Sequence, residues 1–225
     1  MDKAALAERY ARVKAMLPGG VVLVAVSKTR TVEEVQALYD LGQRDFGENY
    51  PQELRGKQPL LPPDIRWHFI GHLQGNKVKY VAPFAFLVHG VDSEKLLDEL
   101  EKRAASVGRT LGVLLQVHIA QEETKHGFLP DELRALCATA PLQHRWPNLQ
   151  FRGLMGMATN TADQARVRHE FHALALLRQE LAASGAVDPR TFTELSMGMT
   201  GDLREALAEG STVVRIGTAI FGERG

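Results

Sequence analysis

The sequence predicts a (β/α)8 barrel, also called a TIM barrel, with one extra helix at its N-terminus. Eight short runs of apolar or β-branched residues recur along the chain, and helical patterns separate most of them. The first run, "VVLVAV", is apolar throughout, which is typical of a strand that is buried on both faces. Strands that alternate with helices form a parallel sheet, and eight such units close into a barrel.

The predicted elements follow one another in a regular order. Candidate strands lie at residues 21–28, 45–49, 66–71, 86–91, 112–119, 151–158, 193–198 and 212–217. Helical patterns lie at residues 32–41, 75–81, 93–107, 131–139, 162–183 and 202–209, with a short helix expected at 51–57. Thr31 and Glu34 have the spacing of a capping box at a helix start. The amphipathic stretch before Pro18 predicts the extra N-terminal helix.

An open, doubly wound sheet is the alternative arrangement of alternating strands and helices. Such a sheet usually carries a glycine-rich phosphate loop in its first turn, whereas the first turn of this chain reads "SKTRT" and has no glycine. No linker-like stretch or change in composition divides the chain. We therefore expect a single domain that spans residues 1–225.

Composition and charge exclude several classes of protein. Lys plus Arg equals Asp plus Glu at 27 each, so no net charge favours binding to nucleic acid or an anionic membrane. The single cysteine, Cys137, excludes an intramolecular disulfide and a cysteine-based zinc site, and we expect no metal. No segment approaches the ~20 apolar residues of a membrane span, and the N-terminus does not resemble a signal peptide. The expected location is the cytoplasm.

The ends of the last two predicted strands have the composition of a phosphate-binding site. Barrels often bind phosphate in the loops after strands seven and eight, where backbone N–H groups exposed by glycine and nearby hydroxyls can bind the anion. The residues of this kind are Ser196, Gly198, Thr200 and Gly201, which precede the helix at residue 202, and Gly217 and Thr218 at the end of the eighth strand. A single loop of this type is often only a helix cap, but two adjacent loops favour a phosphate ligand.

Two basic residues are expected at the same end of the barrel. Lys28 follows the first strand, and Arg215 lies within the last strand on the same face as Gly217. A lysine near apolar walls and other cations has a lowered pKa and becomes nucleophilic, which prepares it for a Schiff base. A lysine, an arginine and a phosphate site together suggest pyridoxal 5'-phosphate. They would also suit a Schiff-base aldolase that acts on a phosphorylated sugar.

Three motifs in the sequence resemble those of a known family. "GENYPQE", "WHFIGHLQGNK" and "RIGTAIFG" are highly specific in combination, and the similarity runs in order over residues 21–224. The chain resembles the YggS/PROSC family of pyridoxal phosphate homeostasis proteins. The resemblance implies a fold like the N-terminal barrel of alanine racemase, with pyridoxal 5'-phosphate bound as an internal aldimine.

The resemblance also assigns roles to individual residues. It implies that Lys28 forms the aldimine and that Arg215 lies near the pyridine nitrogen. It places the phosphate on Ser196, Met199, Gly217 and Thr218, and it places Asn49 and His68 beside the ring. One departure is His118, where the family commonly has asparagine. His118 either alters contacts around the site or serves packing.

Two functions are compatible with these residues. The first is a non-catalytic carrier for intracellular pyridoxal phosphate (vitamin B6) homeostasis, with apo forms of pyridoxal phosphate enzymes as acceptors. An arginine partner leaves the pyridine nitrogen unprotonated and the ring a weak electron sink, which disfavours carbanion chemistry. Only eight residues follow Gly217, so we expect neither the second domain of a racemase nor its dimer, and we expect a monomer.

The second function is that of a pyridoxal phosphate-dependent amino-acid racemase or decarboxylase. Such an enzyme would use His68, His72 or Lys77 as its proton carrier. Each of these residues also has an ordinary structural interpretation, since Lys77 is expected at the solvent-facing side of a helix. We favour the carrier and assign no catalytic residue.

Overall fold

Eight parallel strands close into a barrel in the computed structural model, which describes residues 2–122 and 126–223. The strands pair in chain order, and β1 pairs with both β2 and β8. They are β1 Val22–Val26, β2 Asp45–Glu48, β3 Arg66–Phe69, β4 Ala85–Val91, β5 Leu111–Val117, β6 Leu149–Gly156, β7 Glu194–Ser196 and β8 Val213–Ile216. The predicted (β/α)8 barrel is confirmed, and each predicted strand overlaps an observed one.

Helices surround the barrel within the described ranges. They are α1 Lys3–Ala15, α2 Val32–Asp40, α3 Pro51–Lys57, α4 Glu94–Ser106, α5 Pro130–Thr139, α6 Leu142–Arg145, α7 Gln164–Ala183, α8 Leu203–Ala208 and α9 Thr218–Phe221. Residues 75–81 were expected to form an ordinary helix, but Gly75–Tyr80 is a 3-10 helix. The sequence did not predict α6 and α9, because four residues are too few to display a helical period.

A capping box fixes the start of α2, and a hydrogen bond from α1 to α9 fixes the position of the extra helix. The Thr31 hydroxyl accepts a hydrogen bond from the Glu34 backbone N–H at 3.3 Å, and Glu34 accepts one from the Thr31 N–H at 2.8 Å. This reciprocal pair is the predicted capping box of α2. The extra helix α1 is also confirmed, and Arg9 on it donates a 2.8 Å hydrogen bond to the Ile220 backbone oxygen in α9. Helix α1 therefore lies against α9, the last helix of the barrel.

The barrel interior differs from the layer between strands and helices. The outer layer is a large apolar cluster, whereas Leu87, Leu114 and Met155 form a small, separate cluster. Polar side chains are buried as well, among them His68, His89, Ser196 and Arg215. Burying such groups is costly unless each has a hydrogen-bond partner.

Among the helices within residues 2–122 and 126–223, none has the length and apolar character needed to cross a membrane.

Candidate functional site

A cavity of about 280 Å³ lies at the carboxyl ends of β1 and β8 and beside the loop after β7. Its walls are formed by Val26, Lys28, Arg30, Met199, Thr200, Gly201, Arg215, Gly217 and Thr218. The cavity thus brings together Lys28, Arg215 and the two loops that the sequence predicts as a phosphate site. Of the remaining predicted site residues, Asn49, His68 and Ser196 do not line it.

Hydrogen bonds on both sides hold the loop that carries Lys28. The Lys57 ammonium donates to the Ser27 backbone oxygen at 2.8 Å, and the Thr29 N–H donates to a Glu53 carboxylate oxygen at 2.7 Å. Thr29 has a φ of 62°, a left-handed conformation that is uncommon outside glycine. The bonds to residues 27 and 29 therefore stabilise a bend that aims Lys28 at the cavity.

A buried ion pair lies behind this loop. Glu48 is fully buried, and its Oε1 accepts hydrogen bonds from the Lys57 ammonium at 2.8 Å and from the Ser27 hydroxyl at 2.7 Å. Burial raises the pKa of Glu48, and the nearby Lys57 opposes that rise. Sequence reasoning matched the motif "GENYPQE" without assigning a role to its two acids. The available signal was Lys57, which lies four residues after Glu53 on α3.

The loop after β7 depends on glycine and on one carboxylate. Gly198 has a φ of +97°, and a Cβ there would lie 2.6 Å from the Cβ of Ala206. The Met199 backbone N–H donates to Asp202 Oδ1 at 2.6 Å. Burial raises the pKa of Asp202, and the bond from Met199 opposes this rise. In this arrangement the Asp202 carboxyl engages an N–H group that a phosphate could otherwise bind.

Arg215 reaches from β8 into the barrel interior. Its Nη1 donates to the Ser196 hydroxyl at 2.6 Å, and its Nη2 donates to the Gly156 backbone oxygen at 3.3 Å. Burial lowers the pKa of the guanidinium to about 10, and the charge of Asp202 opposes this change. Arg215 is therefore still a cation at neutral pH. Ser196 is fully buried and does not line the cavity, and its hydroxyl contacts Arg215.

His68 belongs to a buried polar network rather than to the cavity wall. It is 2% exposed, its Nδ1 lies 2.9 Å from His89 Nε2, and its Nε2 lies 3.0 Å from Asp45 Oδ1. The Nδ1 of His89 lies 2.8 Å from the Ser196 hydroxyl. Sequence reasoning missed His89 and Asp45. For His89 the available signal was a polar residue inside the apolar strand β4.

Burial and neighbouring charges set the protonation of this network. Burial lowers the pKa of His89 well below its usual range, and the charge of the nearby Arg215 lowers it further. Burial alone would raise the pKa of Asp45, but hydrogen bonds from His68 and Arg66 lower it. At neutral pH the network therefore contains a neutral His89 and an ionised Asp45.

Asn49 and His118 have separate surroundings. The Oδ1 atom of Asn49 is buried and has no hydrogen-bond partner among the described residues. Such a group is rare in native proteins and indicates that a ligand or water supplies the donor. His118 Nε2 lies 3.0 Å from the Glu122 backbone oxygen, so His118 serves a local loop contact.

His72 and Lys77, the other proposed proton carriers, also lie away from the cavity. Lys77 is in the 3-10 helix Gly75–Tyr80. His72 Nδ1 lies 3.2 Å from Asp92 Oδ2, and its ring stacks on that of His126 at 4.1 Å with an interplanar angle of 15°. A metal binds imidazole along a lone pair in the ring plane, and two nearly parallel stacked rings cannot both aim at one point. We assign no metal to this cluster.

Comparison with known proteins agrees with this geometry. The family model described as the N-terminal domain of alanine racemase matches residues 1–225. A pyridoxal phosphate homeostasis protein of Vibrio alginolyticus is 44% identical over 212 residues, which cover 92% of this chain and 88% of that protein. The protein of the same name from Homo sapiens is 42% identical over 213 residues, covering 90% of this chain and 76% of the relative.

A solved structure extends the comparison to three dimensions. PipY of Synechococcus elongatus, with pyridoxal phosphate bound, superposes with a TM-score of 0.86 at 36% identity. The alignment covers 96% of this chain and 100% of PipY. The chain belongs to the family of pyridoxal phosphate homeostasis proteins, which is built on the barrel of the alanine racemase N-terminal domain.

Proposed function

We propose that this protein binds pyridoxal 5'-phosphate and holds it for other proteins, as part of intracellular pyridoxal phosphate (vitamin B6) homeostasis. The observation that carries the proposal is the cavity in which Lys28, Arg215 and the two loops meet. Lys28 provides the amine for a covalent bond to the aldehyde carbon of the cofactor. The pyridoxal phosphate bound in PipY supports the same use of this barrel.

The side chains at the cavity fit a phosphorylated pyridine aldehyde. The loops containing Met199 and Thr218 offer N–H groups and a hydroxyl for the phosphate, and Gly217 allows β8 to approach β1 closely. A Cβ at Gly217 would lie 3.3 Å from the Cβ of Val26. We propose that Arg215 faces the ring nitrogen and that the unpaired Oδ1 of Asn49 faces the ring. We propose that His68 and Ser196 do not contact the ligand directly but influence it through Arg215.

The charges around the cavity favour a carrier over an enzyme. Among the described residues that line the cavity, the ionisable side chains are Lys28, Arg30 and Arg215, and all are basic. When bound, pyridoxal phosphate supplies an electron sink, and an arginine at the ring nitrogen keeps that sink weak. A racemase or decarboxylase also needs a proton carrier positioned at the substrate.

The proposal further includes a monomeric, single-domain protein whose acceptors are apo forms of pyridoxal phosphate enzymes.

Absorbance spectroscopy tests the binding of the cofactor. The purified protein is mixed with pyridoxal 5'-phosphate and passed through a gel-filtration column, and the visible absorbance of the protein peak is recorded. We expect a retained band in the wild type and in Lys102→Ala, a control on the exposed face of α4. The band should be lost in Lys28→Ala. A wild-type protein that retains no band would refute the site.

A second experiment separates the carrier from the enzyme. The loaded protein is incubated with a panel of L-amino acids in deuterated water, and α-proton exchange and racemisation are followed by NMR and chiral chromatography. A carrier gives neither above the rate of free pyridoxal phosphate. Rapid exchange or racemisation would instead assign the protein to the enzymes.

A further inference from the structure

A continuous series of hydrogen bonds crosses the barrel interior from Arg215 to Asp45. Arg215 bonds to Ser196 at 2.6 Å, and Ser196 bonds to His89 at 2.8 Å. His89 bonds to His68 at 2.9 Å, and His68 bonds to Asp45 at 3.0 Å. The step from Ser196 in β7 to His89 in β4 joins strands that are not neighbours, so it spans the interior.

The two ends of the series lie at opposite ends of the barrel. Arg215 lines the cavity at the carboxyl ends of the strands. Asp45 is the first residue of β2 and is paired with Arg66, the first residue of β3, whose side chain is 47% exposed. The series therefore links the candidate cofactor site with the solvent-facing, opposite rim.

The chemistry of the two ends, together with two neutral histidines, determines the direction of every bond between them. A guanidinium can only donate hydrogen bonds, and an ionised carboxylate can only accept them. When both histidines are neutral, each of the three intermediate groups accepts one bond and donates one. The Ser196 hydroxyl donates to His89 Nδ1, His89 Nε2–H donates to His68 Nδ1, and His68 Nε2–H donates to Asp45.

This arrangement has one protonation pattern that satisfies every group. Both histidines are neutral and both carry their proton on Nε2. A second proton on either histidine would direct two donors at each other or leave the Ser196 hydroxyl without an acceptor in the series. The depressed pKa of His89 agrees with the neutral form.

We propose that His89 and Ser196 are positioning residues that hold the Arg215 guanidinium in the orientation that meets the cofactor's ring nitrogen. This inference rests on the proposed function. The Ser196 oxygen anchors Nη1, and two of the five guanidinium N–H groups are used by described residues, which leaves others for a ligand. His89 keeps the serine oxygen available to Arg215 because its Nδ1 accepts the hydrogen bond of the Ser196 hydroxyl.

Imidazole tautomers test the hydrogen-bond series in the protein without cofactor. Two-dimensional NMR of protein labelled with 15N in histidine distinguishes Nδ1–H, Nε2–H and imidazolium forms. We expect His68 and His89 to be neutral Nε2–H tautomers at pH 7, with assignments from His68→Gln and His89→Gln. An Nδ1–H tautomer or an imidazolium at His89 would overturn the series, whether or not the protein binds the cofactor.

Variants test the positioning of Arg215. His89→Leu and Ser196→Ala break the series, and each should weaken pyridoxal phosphate binding by about tenfold or more, because a hydrogen bond to a charged group is lost. The visible band should shift in the protein that remains loaded. His89→Gln places an amide donor and acceptor where the ring nitrogens lie and should restore both properties to near the wild-type values.

Controls separate this effect from damage to the fold. Leu114→Ala truncates a buried side chain of the separate apolar cluster and should lower the unfolding temperature without shifting the visible band. His89→Leu that binds the cofactor with wild-type affinity and an unchanged band would refute the positioning role. Wild-type protein that binds no cofactor would instead refute the proposed function, and with it the role of His89, while the tautomer result would stand.

Discussion

The Lys57 ammonium donates a 2.8 Å hydrogen bond to the backbone oxygen of Ser27, the residue immediately before Lys28. The same ammonium bonds to Glu48 at 2.8 Å and to Glu53 at 2.7 Å. One buried cation thus joins β2, α3 and the loop after β1. The position of Lys28 consequently depends on a residue that does not line the cavity.

Replacing Lys57 with methionine should destabilise the fold and loosen the Lys28 loop. The change leaves the fully buried Glu48 without its cationic partner, and breaking a buried ion pair in this way costs about 3 kcal/mol of unfolding free energy. Urea denaturation at pH 7 measures the loss. Lys102→Met on α4 is the matched control and should change stability by less than about 0.5 kcal/mol.

The pH dependence of the stability loss in Lys57→Met provides a further check. Because burial raises the pKa of Glu48, its carboxyl takes up a proton more readily in the folded state. The deficit of Lys57→Met should therefore shrink as the pH falls and Glu48 becomes neutral. A deficit that does not change between neutral and acid pH would contradict the assignment of the loss to the Glu48 charge.

Two glycines with similar φ angles allow the cost of backbone strain to be measured separately from the cost of steric crowding. Gly198 and Gly185 have φ values of +97° and +82°, so alanine is strained at either position. A Cβ at Gly198 would also lie 2.6 Å from the Cβ of Ala206, whereas nothing lies within 4 Å of one at Gly185. Gly185→Ala should cost about 1 kcal/mol of unfolding free energy, and Gly198→Ala clearly more.

The same pair of variants reports on the loop after β7. Gly198→Ala should also weaken retention of pyridoxal phosphate, because the displaced loop contains Met199 and Thr200 at the cavity wall. Gly185→Ala should retain the cofactor as the wild type does. Equal losses of stability and of binding in both variants would mean that crowding against Ala206 has no consequence for the site.

Neutralising Asp202 should strengthen the binding of a phosphate-bearing ligand. Its carboxyl accepts a hydrogen bond from the Met199 N–H, and a negative charge there repels an incoming phosphate. Asp202→Asn can keep this bond through its amide oxygen while removing the charge. We expect the dissociation constant of pyridoxal 5'-phosphate to fall several-fold, up to about tenfold, in equilibrium dialysis at pH 8.

The control for this change is Asp131→Asn, which removes the same charge from the exposed start of α5. The advantage of Asp202→Asn should decrease towards acid pH, because the raised pKa of Asp202 means that the wild-type carboxyl is protonated there as well. Weaker binding in Asp202→Asn than in Asp131→Asn would show that the carboxylate supports the loop more than it opposes the ligand.

The strand order and the cavity wall were readable from local patterns. The apolar run before Lys28 and the glycine-rich ends of the last two strands each place residues at one end of a barrel, whatever the other side chains do. For that reason Lys28, Arg215 and Thr218 were expected together and do line one cavity. The 3-10 form of Gly75–Tyr80 was not readable, since its spacing also suits an ordinary helix.

Contacts across the barrel could not be read in the same way. The bond between Ser196 and His89 joins two residues that are 107 positions apart in sequence and depends on the stagger of their strands, which no local pattern encodes. The sequence placed Ser196 in a phosphate loop because it lies beside glycines and hydroxyls. In the structure its hydroxyl points inward, because Ser196 still belongs to β7 and follows the alternation of that strand.

The neutral state of His89 should make the fold less stable in acid, and the sign follows from proton binding. Burial and the charge of Arg215 lower the pKa of His89 in the folded protein, whereas the unfolded chain takes up a proton near pH 6.5. The neutral ring therefore contributes to the unfolding free energy above about pH 6.5, and this contribution is lost as the pH falls towards the lowered folded-state pKa.

Other groups also titrate in this range, so the comparison is between the wild type and His89→Gln. The wild type should lose up to about 1.4 kcal/mol more unfolding free energy per pH unit than His89→Gln below pH 6.5. Parallel stability profiles from urea denaturation between pH 5 and 8 would mean that the folded protein does not lower the pKa of His89.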